Sequence, residues 1–213
     1  MAELIIPSLL ETIYMVSLST LFSLIIGFPL GVLLVITEKG NIWERPLLNQ
    51  LLNGIINILR SFPFIILMIL VFPISKLIVG QTIGTTATIV PLSIAAAPFV
   101  ARIMESSLKE VDKGIIEFSL SMGASIPEII FKVLIPEALP SLILGITMTI
   151  INLIGYSAMA GAIGGGGLGN LAIRYGLYRF ETDIMIASVF VIILLVQGIQ
   201  FIGNRLSTIV NKK

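Results

Sequence analysis

The chain has 213 residues, 56% hydrophobic and 12% charged, with a mean hydropathy of +1.07, far from the ~25% charged residues of a soluble domain. That excludes a soluble globular protein and defines an integral membrane protein. The formal charge of +1 singles out no partner, and no nucleic acid is expected; the absence of Cys and His removes disulfides, thiolate chemistry, most zinc sites and the usual proton shuttle.

Charge-free runs from Thr12 to Thr37, Leu77 to Ala101, Ala138 to Ile173 and Ile184 to Asn204 each reach the ~20 residues that a bilayer requires. Between the first two, Leu51 to Leu59 and Ser61 to Ser75 read together as one further span with Arg60 near its inner end. The fold class is therefore all-α, a polytopic membrane helix bundle of five spans at about 12–37, 53–75, 77–101, 138–163 and 184–204, in one domain over 1–213. Met1 to Glu11 carries no basic segment and the first apolar run is too long for a signal peptide, so the first span is expected to be retained.

An odd number of spans puts the termini on opposite sides, and the basic residues choose between the two topologies. With the carboxyl end inside, Lys39, Arg45, Arg60, Arg102, Lys109, Lys113, Lys132, Arg205, Lys212 and Lys213 are inside, and only Lys76, Arg174 and Arg179 are outside. The amino terminus is then outside. Gly27, Pro29, Gly31, Pro63, Pro91, Pro98, Gly145 and Gly155 lie within spans, which membrane bundles tolerate, and small residues such as Ala95, Ala96 and Ala97 let backbones approach. No internal repeat is visible, unlike the pseudo-symmetric halves of many secondary transporters.

A polar island from Val111 to Pro140 interrupts the apolar pattern. Asp112 can cap a helix that runs to Gly123, a natural left-handed stop. Ser125 and Glu128 form a capping box with Pro127 in the first turn, and Pro136 and Pro140 are expected to turn the chain back into the membrane. The pattern reads as helix, glycine turn, helix lying along the cytoplasmic face. An amphipathic anchor resting on headgroups would fit the same polarity, but two capped helices joined through one glycine make a rigid protrusion, which an anchor does not need.

The residues of this island resemble a known motif. Glu117, Phe118, Ser119, Gly123, then Val133, Leu134, Ile135 and Pro136 are similar to the EAA motif of permease subunits of bacterial ATP-binding cassette importers, with Phe118 and Ser119 in place of its two alanines. The resemblance implies a type I importer permease fold in the bacterial inner membrane and a coupling segment at 111–137. Glu117, Ser119, Met122, Gly123, Ala124, Ser125 and Ile126 would enter a groove on a separate ATPase. Arg60 to Phe64, Ala97 to Phe99 with Ala101 and Arg102, Pro136 to Pro140, Gly155 to Met159 and Gly167 to Gly169 resemble the methionine-type subfamily. That likeness implies methionine as cargo, a homodimer, two ATPase subunits inside and a substrate-binding lipoprotein outside. Another amino acid or small metabolite is the alternative cargo.

The Gly164 to Gly169 stretch contains GxGxxG, but it follows a membrane helix rather than a strand, so it reads as a flexible outer loop and not a dinucleotide site. Beyond it, Arg174, Tyr175, Tyr178 and Arg179 offer a surface to an outer partner, or simply form the loop. No GxxxxGK[ST] segment exists, so ATP and its magnesium belong to the partner and this chain needs no cofactor. Charge-free spans argue against proton coupling, and with no His, no Cys and no Asp or Glu pair inside them they also argue against an intramembrane enzyme. Tyr156, Ser157 and Met159 are placed on the transport axis of a dimer. Met159 either fills a narrow constriction as a gate or packs in the bundle; Asn152 lines the pathway or bridges helices.

Overall fold

The computed structural model describes residues 1–211, so Lys212 and Lys213 of the positive-inside count lie outside the described residues. Helices α1 (Ala2–Ile36), α2 (Pro46–Ser61), α3 (Phe64–Val79), α4 (Thr85–Lys109), α5 (Lys113–Ser121), α6 (Ile126–Gly161), α7 (Gly167–Leu171) and α8 (Thr182–Val210) follow one another. No strand occurs among the described residues. Four helices are long and apolar enough to cross a bilayer, and the bent pair α2–α3 makes up to five crossings.

The frame is set by α1 against α4. A Cβ on Gly27 would lie 2.5 Å from the Ala97 carbonyl oxygen and 2.7 Å from Val100 Cβ; one on Gly31 would lie 2.6 Å from Met104 Cβ. The two glycines, four residues apart, let the helices meet backbone to backbone. In lipid, where apolar burial gives little net drive, such close contact is the main source of helix association. Two apolar layers fill the bundle. Met15, Val16, Leu92, Ala96, Leu153 and Ile154 form the layer toward the Gly164–Gly169 run, and Val35, Val100, Met104, Leu108, Ile129 and Leu134 the layer toward α5. Most helix hydroxyls are satisfied within their own helices, as in Thr20 to the Val16 carbonyl at 2.7 Å and Ser93 to that of Ile89 at 2.7 Å. Among the described residues no buried side-chain polar atom lacks a partner.

Three expectations need correction. The single span expected at 53–75 is two helices meeting at 105°. Phe62 is extended (φ −72°, ψ 128°) ahead of Pro63, because the proline ring disfavours helical geometry in the residue before it. The span expected at 77–101 is also shifted: α4 starts at Thr85 after a left-handed Gly80, and continues through Arg102 and Glu105 to Lys109. Finally, Pro136 and Pro140 do not turn the chain. The helix begun at Ser125 runs on to Gly161, through a wider π turn at Ile129–Leu134 in which the Ile135 N–H bonds the Ile130 carbonyl. A proline normally clashes with the carbonyl four residues back, and the wider turn just before Pro136 relieves that crowding. Outside this frame lies α8, with few buried residues, held on α6 where Gly203 meets Thr147 and where the Ser207 hydroxyl donates to the Pro140 carbonyl at 3.0 Å.

Candidate functional site

The island folds as its caps dictate. Asp112 Oδ1 accepts from the Gly114 N–H at 2.6 Å and starts α5. At its end Gly123 takes φ +80°, its N–H bonds the Leu120 carbonyl at 2.9 Å, and the Ala124 N–H bonds that of Ser119 at 3.1 Å. This pair of bonds is the left-handed glycine cap that satisfies the last carbonyls of a helix. Ser125 then opens α6: its N–H and Oγ both donate to Glu128 Oε2, at 3.1 and 2.8 Å, while Glu128 Oε1 receives Lys132 Nζ at 2.8 Å. The Lys132 ammonium, together with the Ser125 backbone and hydroxyl, holds the Glu128 carboxyl down at about 2. Thirty-six residues of helix reach ~54 Å, well beyond the ~30 Å hydrocarbon core, so this first part of α6 stands clear of the span.

The resulting knuckle has two faces. Val111, Ile129 and Leu134 are buried against Val35, Ile36, Met104 and Leu108, with Ile116 and Ala124 beside them. Phe118 (66% exposed), Met122 (74%) and Phe131 (69%) point away from the bundle. An open groove of about 430 Å³ between the helices is lined by Phe118, Ser119, Met122, Gly123, Glu128 and Lys132. Of the predicted coupling residues, Glu117, Met122, Gly123 and Ser125 are exposed, and Ser119, Ala124 and Ile126 are half-buried. All seven lie on α5, the turn or the first residue of α6. A rigid tip rooted in α1 and α4 and continuous with α6 can transmit a push to three helices at once.

Behind the knuckle is a charged cluster that counting charge-free runs did not reveal. Glu105, 8% exposed, accepts from Arg102 at 2.7 Å and from Lys109 at 3.0 Å. Lys109 also reaches Glu38 beyond α1 at 3.0 Å, and Arg102 donates to Asn57 of α2 at 2.8 Å. Three elements are thereby tied together where the span expected at 77–101 was to have ended.

On α6, Leu144, Met148, Asn152, Gly155 and Met159 recur at helical spacing and are all exposed, forming one uncovered stripe. Tyr156 borders it, its ring stacked on Phe64 at 4.7 Å with 7° between planes. Ser157 lies apart from Met159 and Asn152: it is buried, and its hydroxyl donates to the Ile154 carbonyl at 2.8 Å.

The glycine run is not the flexible loop that its composition suggests. Gly164, Gly166 and Gly167 take positive φ, the Gly167 N–H donates to Glu11 Oε2 at 2.7 Å and the Leu168 N–H to Thr12 Oγ1 at 2.9 Å. Gly167, Leu168, Gly169 and Leu171 are buried in α7. A wide helical turn at Ala172–Leu177 continues from α7, and just beyond it Arg179 lies over the Tyr175 ring at 4.8 Å while Tyr178 and Phe180 are exposed.

A multi-helix membrane bundle with a rigid external knuckle and no nucleotide loop is a transport subunit driven by another polypeptide. Residues 25–213 match the model of the binding-protein-dependent transport system inner membrane component, and the chain belongs to that family, the multi-pass permease subunits of ATP-binding cassette transporters, which are not enzymes. It is 49% identical over 205 residues to the probable D-methionine transport system permease protein MetI of Vibrio cholerae, covering 96% of this chain and 91% of that one. It is 47% identical over 181 residues to the methionine import system permease protein MetP of Bacillus subtilis, covering 85% and 82%. Its fold matches a permease chain in inward-facing crystals of the MetNI methionine ABC transporter with a TM-score of 0.98 at 43% identity, covering 100% of this chain and 98% of that one.

Proposed function

We propose that a homodimer of this chain forms the membrane pathway of an ATP-driven importer for methionine, L- or D-, or both. The observation that carries the coupling is the capped knuckle, whose apolar outer face is uncovered while its inner face is fused to the bundle. Methionine is supported by relatives of that name at 47 to 49% identity over most of the chain. Glu117, Ser119, Met122, Gly123, Ala124, Ser125 and Ile126 dock two ATPase subunits, which hold the ATP and magnesium. A binding lipoprotein meets the opposite end, where Tyr178 and Phe180 are exposed.

The basic residues support a cytoplasmic carboxyl terminus and an outer amino terminus in the bacterial inner membrane, because Lys109, Lys113 and Lys132 all lie at the knuckle end. Asn152 and Met159, on the stripe of α6, line the transport axis with Tyr156 at its edge, and Ser157 supports that wall from behind. Met159, 48% exposed, is the gate: long, unbranched and able to move aside.

The test is ATP-driven uptake of labelled methionine into vesicles holding this chain, its ATPase and its binding protein. Uptake that needs all three establishes the reading. Competition by neutral or cationic amino acids, with no methionine uptake, moves the cargo to one of those. Failure to assemble with any ATPase overturns the assignment.

A further inference from the structure

The break between α2 and α3 opens onto a cavity of about 270 Å³ lined by Arg60, Phe62, Phe64, Ala95, Phe99 and Tyr156. Ala95 and Phe99 sit in the middle of α4, so the cavity, and Arg60 with it, lies at mid-depth in the bundle and not near the inner end of a span, where Arg60 was expected. Asn49, Asn53, Asn57 and Arg60 fall on one face of α2 at helical spacing and make a polar stripe leading to it. The three asparagines are engaged: Asn49 with the Leu34 carbonyl at 2.7 Å, Asn53 with Asn49 at 2.8 Å, Asn57 with Arg102 at 2.8 Å. Arg60, the last of the four, forms no ion pair or hydrogen bond among the described residues, in contrast to Arg102 and Lys109. No carboxylate lines the cavity.

A guanidinium without an acceptor among the described residues, bordering a cavity with four aromatic side chains, fits a small molecule with a carboxylate at one end and a polarisable apolar group at the other. The planar fork binds carboxylate oxygens in pairs, and thioether sulfur is favoured near aromatic rings. The volume lies below the ~300–1,000 Å³ of pockets for drug-sized ligands, which suits one free amino acid. We infer that this cavity is a transient cargo site, in which Arg60 takes the α-carboxylate and Phe64, Phe99 and Tyr156 take the side chain. This inference rests on the importer reading above. A broken helix beside a mid-depth cavity is also where transporters commonly hold their substrates. A lipid phosphate offers the same anionic oxygens to Arg60, and the experiment separates the two.

The experiment uses vesicles holding the permease–ATPase complex with saturating, methionine-loaded binding protein, and reads methionine taken up per ATP hydrolysed. Arg60→Gln is expected to lower that ratio about tenfold, the scale of a lost charge-assisted bond, while stimulated hydrolysis persists; Arg60→Lys recovers part of it. Loss of hydrolysis and uptake in parallel, or an unchanged ratio, overturns the site. So does a wild-type ratio that falls to the Arg60→Gln level when anionic lipid is omitted, since Arg60 would then be serving a headgroup. If Arg60→Gln fails to assemble, Phe64→Leu must change the preference for methionine over alanine, and an unchanged preference overturns the proposal. Wild-type vesicles that carry no methionine overturn the cargo reading alone, and the Arg60 comparison is then made with the amino acid they do carry.

Discussion

Gly123 is where the coupling reading is most exposed to refutation. Its φ of +80° lies in the left-handed region, and a Cβ there would meet nothing within 4 Å. Alanine therefore costs only the backbone term, about 1–2 kcal/mol, while asparagine, which tolerates this region, costs less. Proline is different in kind. It fixes φ near −65°, some 145° away, and removes the N–H that bonds Leu120 at 2.9 Å, so α5 can no longer hold its angle to α6. Methionine uptake and binding-protein-stimulated ATP hydrolysis in reconstituted vesicles give the readout. Gly123→Asn should behave nearly as wild type and Gly123→Ala should lose up to about tenfold in uptake per ATP, as a cost near 1.4 kcal/mol implies. Gly123→Pro should insert and keep some hydrolysis but no uptake. Normal uptake by Gly123→Pro would refute the reasoning. Equal damage from all three would show that bulk at the docking surface matters and not backbone geometry.

Two glycine substitutions should act with opposite signs on the thermal midpoint of the purified protein. Gly31→Ala drives a Cβ to 2.7 Å from the Ala101 carbonyl and should destabilise by about 1–3 kcal/mol, whereas exposed Gly198→Ala, with nothing within 4 Å, should stabilise by up to about 1 kcal/mol; the same sign for both would contradict the packing described. Glu105→Gln leaves Arg102 without its carboxylate and should cost about 1–3 kcal/mol, less than a fully buried pair because both cations are partly exposed, and adding Arg102→Met should recover part of it; full additivity in the double mutant would deny the pairing. Because the folded Glu128 carboxyl titrates near 2, below its ordinary 4.5, its capping contribution is fully present above pH 4.5 and is lost as pH falls toward 2. Carboxyl carbon NMR on glutamate-labelled protein should find one residue still ionised at pH 3.5, and its titration together with the others would disprove the contact.

What the sequence made legible was local. The caps at Asp112, Gly123 and Ser125–Glu128 each depend on a residue and its neighbours within one turn, and the structure forms all of them. The misreadings came from counting charge along the chain. A run between charges gives no sign of a bend, although Phe62 before Pro63 carried the local signal for one. The same counting ended the third span at its first charge and so hid Glu105, which is buried between its partners Arg102 and Lys109. Pro136 read as a stop because nothing local announces the π turn before it. Ser157 and Met159 are two residues apart and on different faces of α6, and which face is covered is settled only by α1, α4 and α8. Composition identified the glycine run but not its partner, since Glu11 and Thr12 are remote in sequence.

That remoteness has a consequence for biogenesis. The Glu11 and Thr12 contacts join residues 156 positions apart. At a synthesis rate of ~5–20 residues per second, roughly 8–30 s pass between the appearance of the first helix and that of its clasp. Throughout that interval α1 waits in the bilayer with its amino-terminal end unfastened. The glycine turn that follows α6 therefore closes the lock on the first helix, and a nascent chain arrested before Gly167 should leave α1 open to quality-control proteases that the finished protein resists.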